Sequence, residues 1–274
     1  MERLKIALEK AREGRLVVAT ETNDYKKPQL KRAAPLSKIV YTHTKLIEVD
    51  SDVLRENCIL TGSGAGPVTD AYKVLRTHVL QHMRANQWNT LAVTSPTGGN
   101  GKTITAINLA ISLSREVNQT VLLVDLDLRR PSIQSYFSMT GYPGISDYLL
   151  GNIEISSILV NPGIERLVIL PGNKSIENSS EMLSSPKMLA LVEELKTFYP
   201  HRIVIFDMPP TLSCDDVLAF SPYVDSLLMV IEGGKTKKAD LERSLYQHDR
   251  AKIIGTVLNK SRTDFSIYSP DSAY

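Results

Sequence analysis

Ser95-Pro96-Thr97-Gly98-Gly99-Asn100-Gly101-Lys102-Thr103 lies between a short apolar run, Thr90 to Thr94, and a run from Ile104 to Leu113 that is apolar at helical spacing. A strand, a glycine-rich turn and a helix in that order form a phosphate-binding loop. Its glycines let consecutive N–H groups point inward at phosphate oxygens, and the following helix adds its positive dipole end. In such a loop Lys102 reaches the β and γ phosphates, and the Thr103 hydroxyl serves Mg²⁺. Pro96 stands where the G-x-x-x-x-G-K-[ST] pattern has its first glycine. The flanking strand and helix patterns carry the reading past that mismatch.

Two downstream stretches add carboxylates. Val124-Asp125-Leu126-Asp127-Leu128-Arg129-Arg130 ends an apolar run with a pair of aspartates, and Arg202-Ile203-Val204-Ile205-Phe206-Asp207-Met208-Pro209-Pro210 ends another with one. A buried strand with aspartate at its carboxyl end can hold that carboxylate next to Mg²⁺ or its water shell. The two prolines force a stiff exit. A loop, a carboxylate pair and a third carboxylate in this order point to nucleotide chemistry.

Outward from these motifs, strand patterns at 91–94, 121–125, 167–170, 203–207, 227–231 and 253–258 alternate with helical patterns such as 104–117, 188–199 and 237–248. Continuous apolar strands alternating with helices predict an α/β fold with a mostly parallel sheet covered on both faces. Ahead of the loop, Ser51 is expected to cap a short helix through Asn57. Thr69 is expected to cap a longer one, with Tyr72, Leu75, Val79 and Met83 on one face. Leu4, Ala7, Leu8 and Ala11 place an amphipathic helix near the start. Between Tyr25 and Thr44 there are five Lys or Arg and no Asp or Glu, a composition suited to a solvated linker or to an anionic membrane surface. The expected organisation is an N-terminal helix and linker (1–49), a P-loop domain (50–262) and a disordered tail (263–274).

The 274 residues, 42% hydrophobic and 23% charged, suit a globular protein, and a net charge of +2 makes no case for nucleic acid. No apolar run approaches the roughly 20 residues of a membrane span, and the charged start is not a signal peptide. Cytoplasmic location follows as an expectation. Cys58 and Cys214 lack ligand-like spacing and are read as reduced, small hydrophobes.

The order of P-loop, Val-Asp-Leu-Asp-Leu-Arg-Arg-Pro, Phe-Asp-Met-Pro-Pro and Val257-Leu258-Asn259-Lys260 resembles the bacterial tyrosine kinases of exopolysaccharide and capsule synthesis. These are autokinases on the ParA/MinD-type P-loop fold. Gly233-Gly234-Lys235-Thr236, Leu241-Glu242-Arg243 and the stretch from Gly255 to Ser261 look like the branch whose kinase is a separate cytoplasmic chain. The resemblance implies ATP and Mg²⁺ as cofactors, with nucleotide contacts from Thr97, Gly98, Gly99, Asn100, Gly101, Lys102, Thr103 and Ile104. It implies that Asp127 is the general base toward a tyrosine hydroxyl, whose pKa lies near 10, while Asp125 and Asp207 act with Thr103 on the Mg²⁺ shell. Asn259 is expected near the adenine edge, or else as a polar cap on a strand end.

Three further features bear on function. The ParA/MinD signature lysine, two residues after Ser95, is Thr97 here, which favours a kinase over a regulatory ATPase of that type. The family's E-x-x-R-x-x-R oligomerisation pattern appears as Asp70, Lys73 and Arg76, which share a helix flank and imply a homo-oligomer. The tail offers Tyr268 and Tyr274 as phosphoacceptors. The implied partners are a membrane-anchored polysaccharide chain-length or copolymerase protein, whose cytoplasmic segment activates the enzyme at the inner face of the plasma membrane, and a cognate tyrosine phosphatase.

Overall fold

Alternate side chains of each central strand enter two different cores, and this dictates a sheet covered on both faces. In β3 (Thr120–Asp125) and β6 (Arg202–Asp207), Val121, Leu123, Ile203 and Ile205 pack on one side, while Leu122, Val124, Val204 and Phe206 pack on the other. Burying each such side chain contributes about 1.5–3 kcal/mol, enough for these runs to settle as central strands. The structure, a computed structural model, describes residues 44–60, 66–151, 153–197 and 201–261. The expected helix at 2–13, nearly all of the expected linker, and Tyr268 and Tyr274 lie outside these residues.

Eight strands form the sheet in the order β1-β4-β5-β3-β6-β2-β7-β8. The others are β1 (Lys45–Leu46), β2 (Thr90–Thr94), β4 (Val160–Asn161), β5 (Leu167–Leu170), β7 (Ser226–Glu232) and β8 (Ile253–Asn259). Every pairing is parallel except β4 with β5. All six strands expected from the sequence are present. The two-residue β1 and β4 are too short to carry a period, and they exist by pairing with each other and, for β4, with β5.

Among the helices, α1 (Ser51–Glu56), α2 (Pro67–Asn86), α3 (Lys102–Ser114), α4 (Pro186–Thr197) and α5 (Lys238–Tyr246) matter most here. Helix α2 buries Val79, Leu80 and Met83 beside α3, with Tyr72 and Leu75 half-buried against the same core, so the expected face is the packed one. Met188, Leu191, Val192 and Leu195 of α4 fill the opposite core.

Both cap expectations need correction. Asp50, not Ser51, caps α1 by accepting from the Asp52 N–H (2.8 Å). Neighbouring Asp and Ser are both good caps, so composition alone could not choose between them. Helix α2 starts at Pro67 after Gly66, placing Thr69 inside its first turn. Proline is well suited to that position because its missing N–H has no helical partner there. The cysteines are both free, yet Cys58 is exposed and joins no core.

Asp225 fixes the start of the central strands. One of its oxygens accepts from the Asn89 and Thr90 N–H groups (3.0 Å each), and the other pairs with Lys196 (2.8 Å). Burial alone would raise its pKa, but the Lys196 ammonium and these N–H donors hold it below the usual carboxylate range.

Candidate functional site

Strand order creates the site. Because β6 lies between β2 and β3, the loop leaving β2 and the carboxylates ending β3 and β6 meet at one edge of the sheet. Asp207 is in register with Asp125 on one side and with Val93 on the other. This is the carboxyl edge, where open α/β sheets place their ligand crevices.

The loop has the backbone that phosphate binding requires. Gly99 (φ +82°) and Gly101 (φ +87°) occupy the left-handed region, which side chains other than glycine adopt at a cost. At Gly101 a Cβ would also fall 2.1 Å from the Asn259 side-chain nitrogen, so glycine is required there on two grounds. Lys102 then opens α3 directly, aiming that helix's N-terminus into the loop.

Lys102 is the hub of the charge cluster. Its Nζ lies 2.8 Å from Asp127 Oδ2 and 3.5 Å from Asp207 Oδ1. Asp207 Oδ2 accepts from the Thr103 hydroxyl at 2.7 Å. Burial would lower the Lys102 pKa, but the charges of Asp207 and Asp127 outweigh it and raise the pKa above the ordinary lysine value. Asp125 is fully buried and held by the Ser132 and Ile133 N–H groups (2.9 Å each) on Oδ2. Desolvation, and next the neighbouring Asp207 charge, push its pKa up to about 7, and desolvation raises that of Asp207 too. One ammonium thus faces three buried carboxylates, and Asp125 Oδ1 has no hydrogen-bond partner among the described residues.

That imbalance fits a divalent cation bound with a nucleotide. Buried unpaired carboxylates are costly, and a cation offsets them. Among the described residues no three acidic, histidine or cysteine side chains enclose a metal ion by themselves. This suits Mg²⁺, which takes one or two carboxylates and fills the rest of its octahedron with hydroxyl, phosphate and water oxygens. Thr103, Asp125 and Asp207 could hold it.

The other expected site residues divide. Asn100 is buried, and its side-chain amide spans Thr97 Oγ1 (3.1 Å) and Thr236 Oγ1 (2.8 Å). Asn259 donates to the Asn100 carbonyl (2.9 Å), while its own oxygen accepts from the Lys260 N–H. It therefore sits against the phosphate loop and braces it. Ile104 lies one turn in, beside Gly101 and partly buried. On α2, Lys73 pairs with Asp70 (2.8 Å), while Arg76 turns to Glu116 (3.1 Å) and the Ser112 carbonyl (3.2 Å). These three residues do not meet the nucleotide cluster within the chain.

Several residues make site contacts that a local reading does not assign to them, although Arg129, Thr236 and Lys260 stand in stretches quoted for the family resemblance. The loop after Asp207 is tied to the phosphate loop by Thr211 N–H to the Ser95 carbonyl (2.9 Å) and Leu212 N–H to the Pro96 carbonyl (3.1 Å). Arg129, just past Asp127, reaches Asp216 at 3.3 Å. Thr236 and Lys260 contact the loop from over 130 positions away in sequence.

Comparison with known proteins gives a consistent picture. The AAA-domain family profile matches residues 88–244. The tyrosine-protein kinase CpsD of Streptococcus agalactiae is 27% identical over 206 residues, covering 74% of this chain and 88% of that protein. The tyrosine-protein kinase ptk of Acinetobacter johnsonii is 29% identical over 192 residues, covering 69% of this chain, which spans only 26% of that protein's length. The crystal structure of the VpsO kinase domain is 29% identical and superposes with a TM-score of 0.64, covering 71% of this chain and 96% of that domain.

Proposed function

The chain belongs to the AAA-domain family, within which it is a bacterial tyrosine autokinase of the P-loop fold, and from that premise we propose that it transfers the γ-phosphoryl group of ATP to Tyr268 and Tyr274 of a neighbouring copy. The observation that carries this reading is the cluster of Lys102 with Asp125, Asp127 and Asp207 at the mouth of the phosphate loop. Phosphoryl transfer asks a protein mainly for positioning and charge neutralisation, and this cluster supplies both.

Roles follow from exposure and bonding. Lys102 binds the β and γ oxygens, exchanging its Asp127 contact for phosphate. Thr103, Asp125 and Asp207 hold Mg²⁺, which when bound neutralises charge developing on the transferring group. Asp127 takes the tyrosine proton. Of the three carboxylates it alone keeps some exposure, 6% against 0% for the others, so an incoming phenol can reach it. Asn259, which donates to the loop at the Asn100 carbonyl, is proposed to serve the adenine edge as well.

The resemblance to exopolysaccharide and capsule kinases supports control of polysaccharide synthesis and export as the biological role. A membrane-anchored chain-length or copolymerase protein serves as the activating partner and brings the kinase to the membrane. A tyrosine phosphatase resets it. No described helix is long and apolar enough to cross a membrane. Asp70, Lys73 and Arg76 provide the self-association surface. Light scattering on a Lys73→Ala, Arg76→Ala double variant is expected to show a shift toward monomer, and an unchanged mass distribution excludes that surface.

Transfer between copies has a direct test. A chain of about 14 residues can span up to ~45 Å when extended. Lys102→Met protein with an intact tail is mixed with an active Tyr268→Phe, Tyr274→Phe variant and ATP. Phosphotyrosine is expected on the inactive partner. Its absence, even with the partner's cytoplasmic segment supplied, replaces the kinase with a nucleotide-gated regulatory ATPase.

A further inference from the structure

The tip of the phosphate loop is gripped from outside its own segment. Asn100 is 1% exposed, and its amide bonds to Thr236 Oγ1 at 2.8 Å, while its main-chain carbonyl accepts from Asn259 Nδ2 at 2.9 Å. The preceding carbonyl, of Gly99, accepts from Lys260 Nζ at 2.7 Å. Thr236 is itself immobilised. It closes the turn from β7 into α5, its N–H donating to the Glu232 carbonyl (3.0 Å) and its hydroxyl accepting from the Glu232 N–H (2.8 Å). Gly234 supplies the left-handed residue of that turn at φ +72°. The Gly233 N–H donates to the Asn259 carbonyl (2.8 Å), joining the turn to the end of β8.

We infer that Thr236 is a positioning residue for the nucleotide, acting through Asn100, and that the β7–α5 turn with Asn259 and Lys260 forms a brace that holds the loop in its phosphate-binding curvature. The inference rests on the nucleotide site proposed above. Its physical basis is economy of conformation. A glycine-rich loop left to itself samples many shapes, and each bond that fixes the binding shape beforehand removes an ordering cost from ATP binding. The hydroxyl has donor and acceptor capacity for both of its contacts, and a methyl in its place takes the Thr236 partner from one end of the buried Asn100 amide, whose other end stays against Thr97. Thr236 does not touch the phosphates in this scheme. Its effect falls on affinity, not on the chemical step.

Equilibrium titration with a fluorescent ATP analogue tests it, on the full chain, with Lys102→Met as the non-binding control. Thr236→Val, which keeps the shape and removes the hydroxyl, is expected to weaken affinity about 10- to 100-fold, the range set by one unpaired buried polar group. Thr236→Ser, which keeps the hydroxyl, is expected to bind like wild type. KM for ATP rises with the Val substitution while kcat at saturating ATP stays within about three-fold. In an Asn100→Ala background, Thr236→Val is expected to add less than about two-fold, since the link is already broken. Wild-type affinity in Thr236→Val, equal loss in Thr236→Ser, or fully additive losses in the double variant overturns the inference. Should Thr236→Val fail to fold, Asn100→Ala reports the same link from the loop side, and unchanged affinity there overturns it equally. If wild type itself binds no nucleotide, the proposed site falls too. If wild type binds and Lys102→Met does not while Thr236→Val is unaffected, only the brace falls.

Discussion

Lys102→Met abolishes ATP binding and tyrosine phosphorylation, with kcat/KM falling by about 10³-fold or more, the scale of removing a full charge from the transferring phosphoryl group. The loop N–H groups and the α3 dipole remain, but they are partial charges and cannot replace an ammonium at the β and γ oxygens. The substitution acts on the folded state as well. Lys102 is the only cation within 3.5 Å of Asp127 and Asp207 among the described ion pairs, so its loss leaves buried carboxylates uncompensated. Breaking such a buried cluster costs about 3–5 kcal/mol at most, part of which the carboxylates recover by taking up protons. The sign is fixed. Burial raises the pKa values of Asp125 and Asp207 above their unfolded values, which favours folding at low pH, so the variant is expected to be more stable at pH 5 than at pH 8. Calorimetry and circular dichroism at the two pH values separate lost function from lost fold. A folded Lys102→Met protein with wild-type ATP affinity and turnover removes the phosphate-loop assignment.

Asp127→Asn has a different signature. An amide cannot accept the tyrosine proton, so kcat is expected to drop about 10²- to 10⁴-fold, the usual contribution of a positioned base. ATP affinity is expected to stay near wild type. Asp127 gives up Lys102 to the phosphates when ATP binds, so the amide removes no contact to the nucleotide, and the Arg130 N–H that donates to Asp127 Oδ1 meets a group of the same size. The competing role, in which Asp127 only orients Lys102, predicts the opposite division, with KM for ATP rising and kcat at saturation largely kept. Single-turnover phosphorylation of an added tyrosine peptide, measured beside nucleotide titration, distinguishes the two. Retained kcat rules out the base.

The six expected strands were readable because each is an apolar run between helical periods, and burial on both faces leaves β2, β3, β5, β6 and β7 little alternative, while β8 stands partly exposed at the sheet edge. Lys102, Thr103, Asp125, Asp127 and Asp207 were readable for a related reason. Their places at or just past a strand end or at a helix start are what the local chain specifies. Caps were less legible, since Asp50 and Ser51 both satisfy the local rule.

What the sequence determined by itself, then, was the fold class and the three motifs bearing the chemistry, because local periodicity and backbone preference encode them. Tertiary structure alone decided that β6 lies between β2 and β3, bringing Asp125 into register with Asp207 and turning three separate aspartates into one cluster around a single lysine. It also decided that Arg76 is engaged with Glu116 and that Thr236, Asn259 and Lys260 converge on the loop tip. These are contacts between segments whose spacing along the chain carries no period. Each forms only when strand order has brought its two ends together, so its partner is fixed by the packing of the whole sheet and by no preference of the residues themselves.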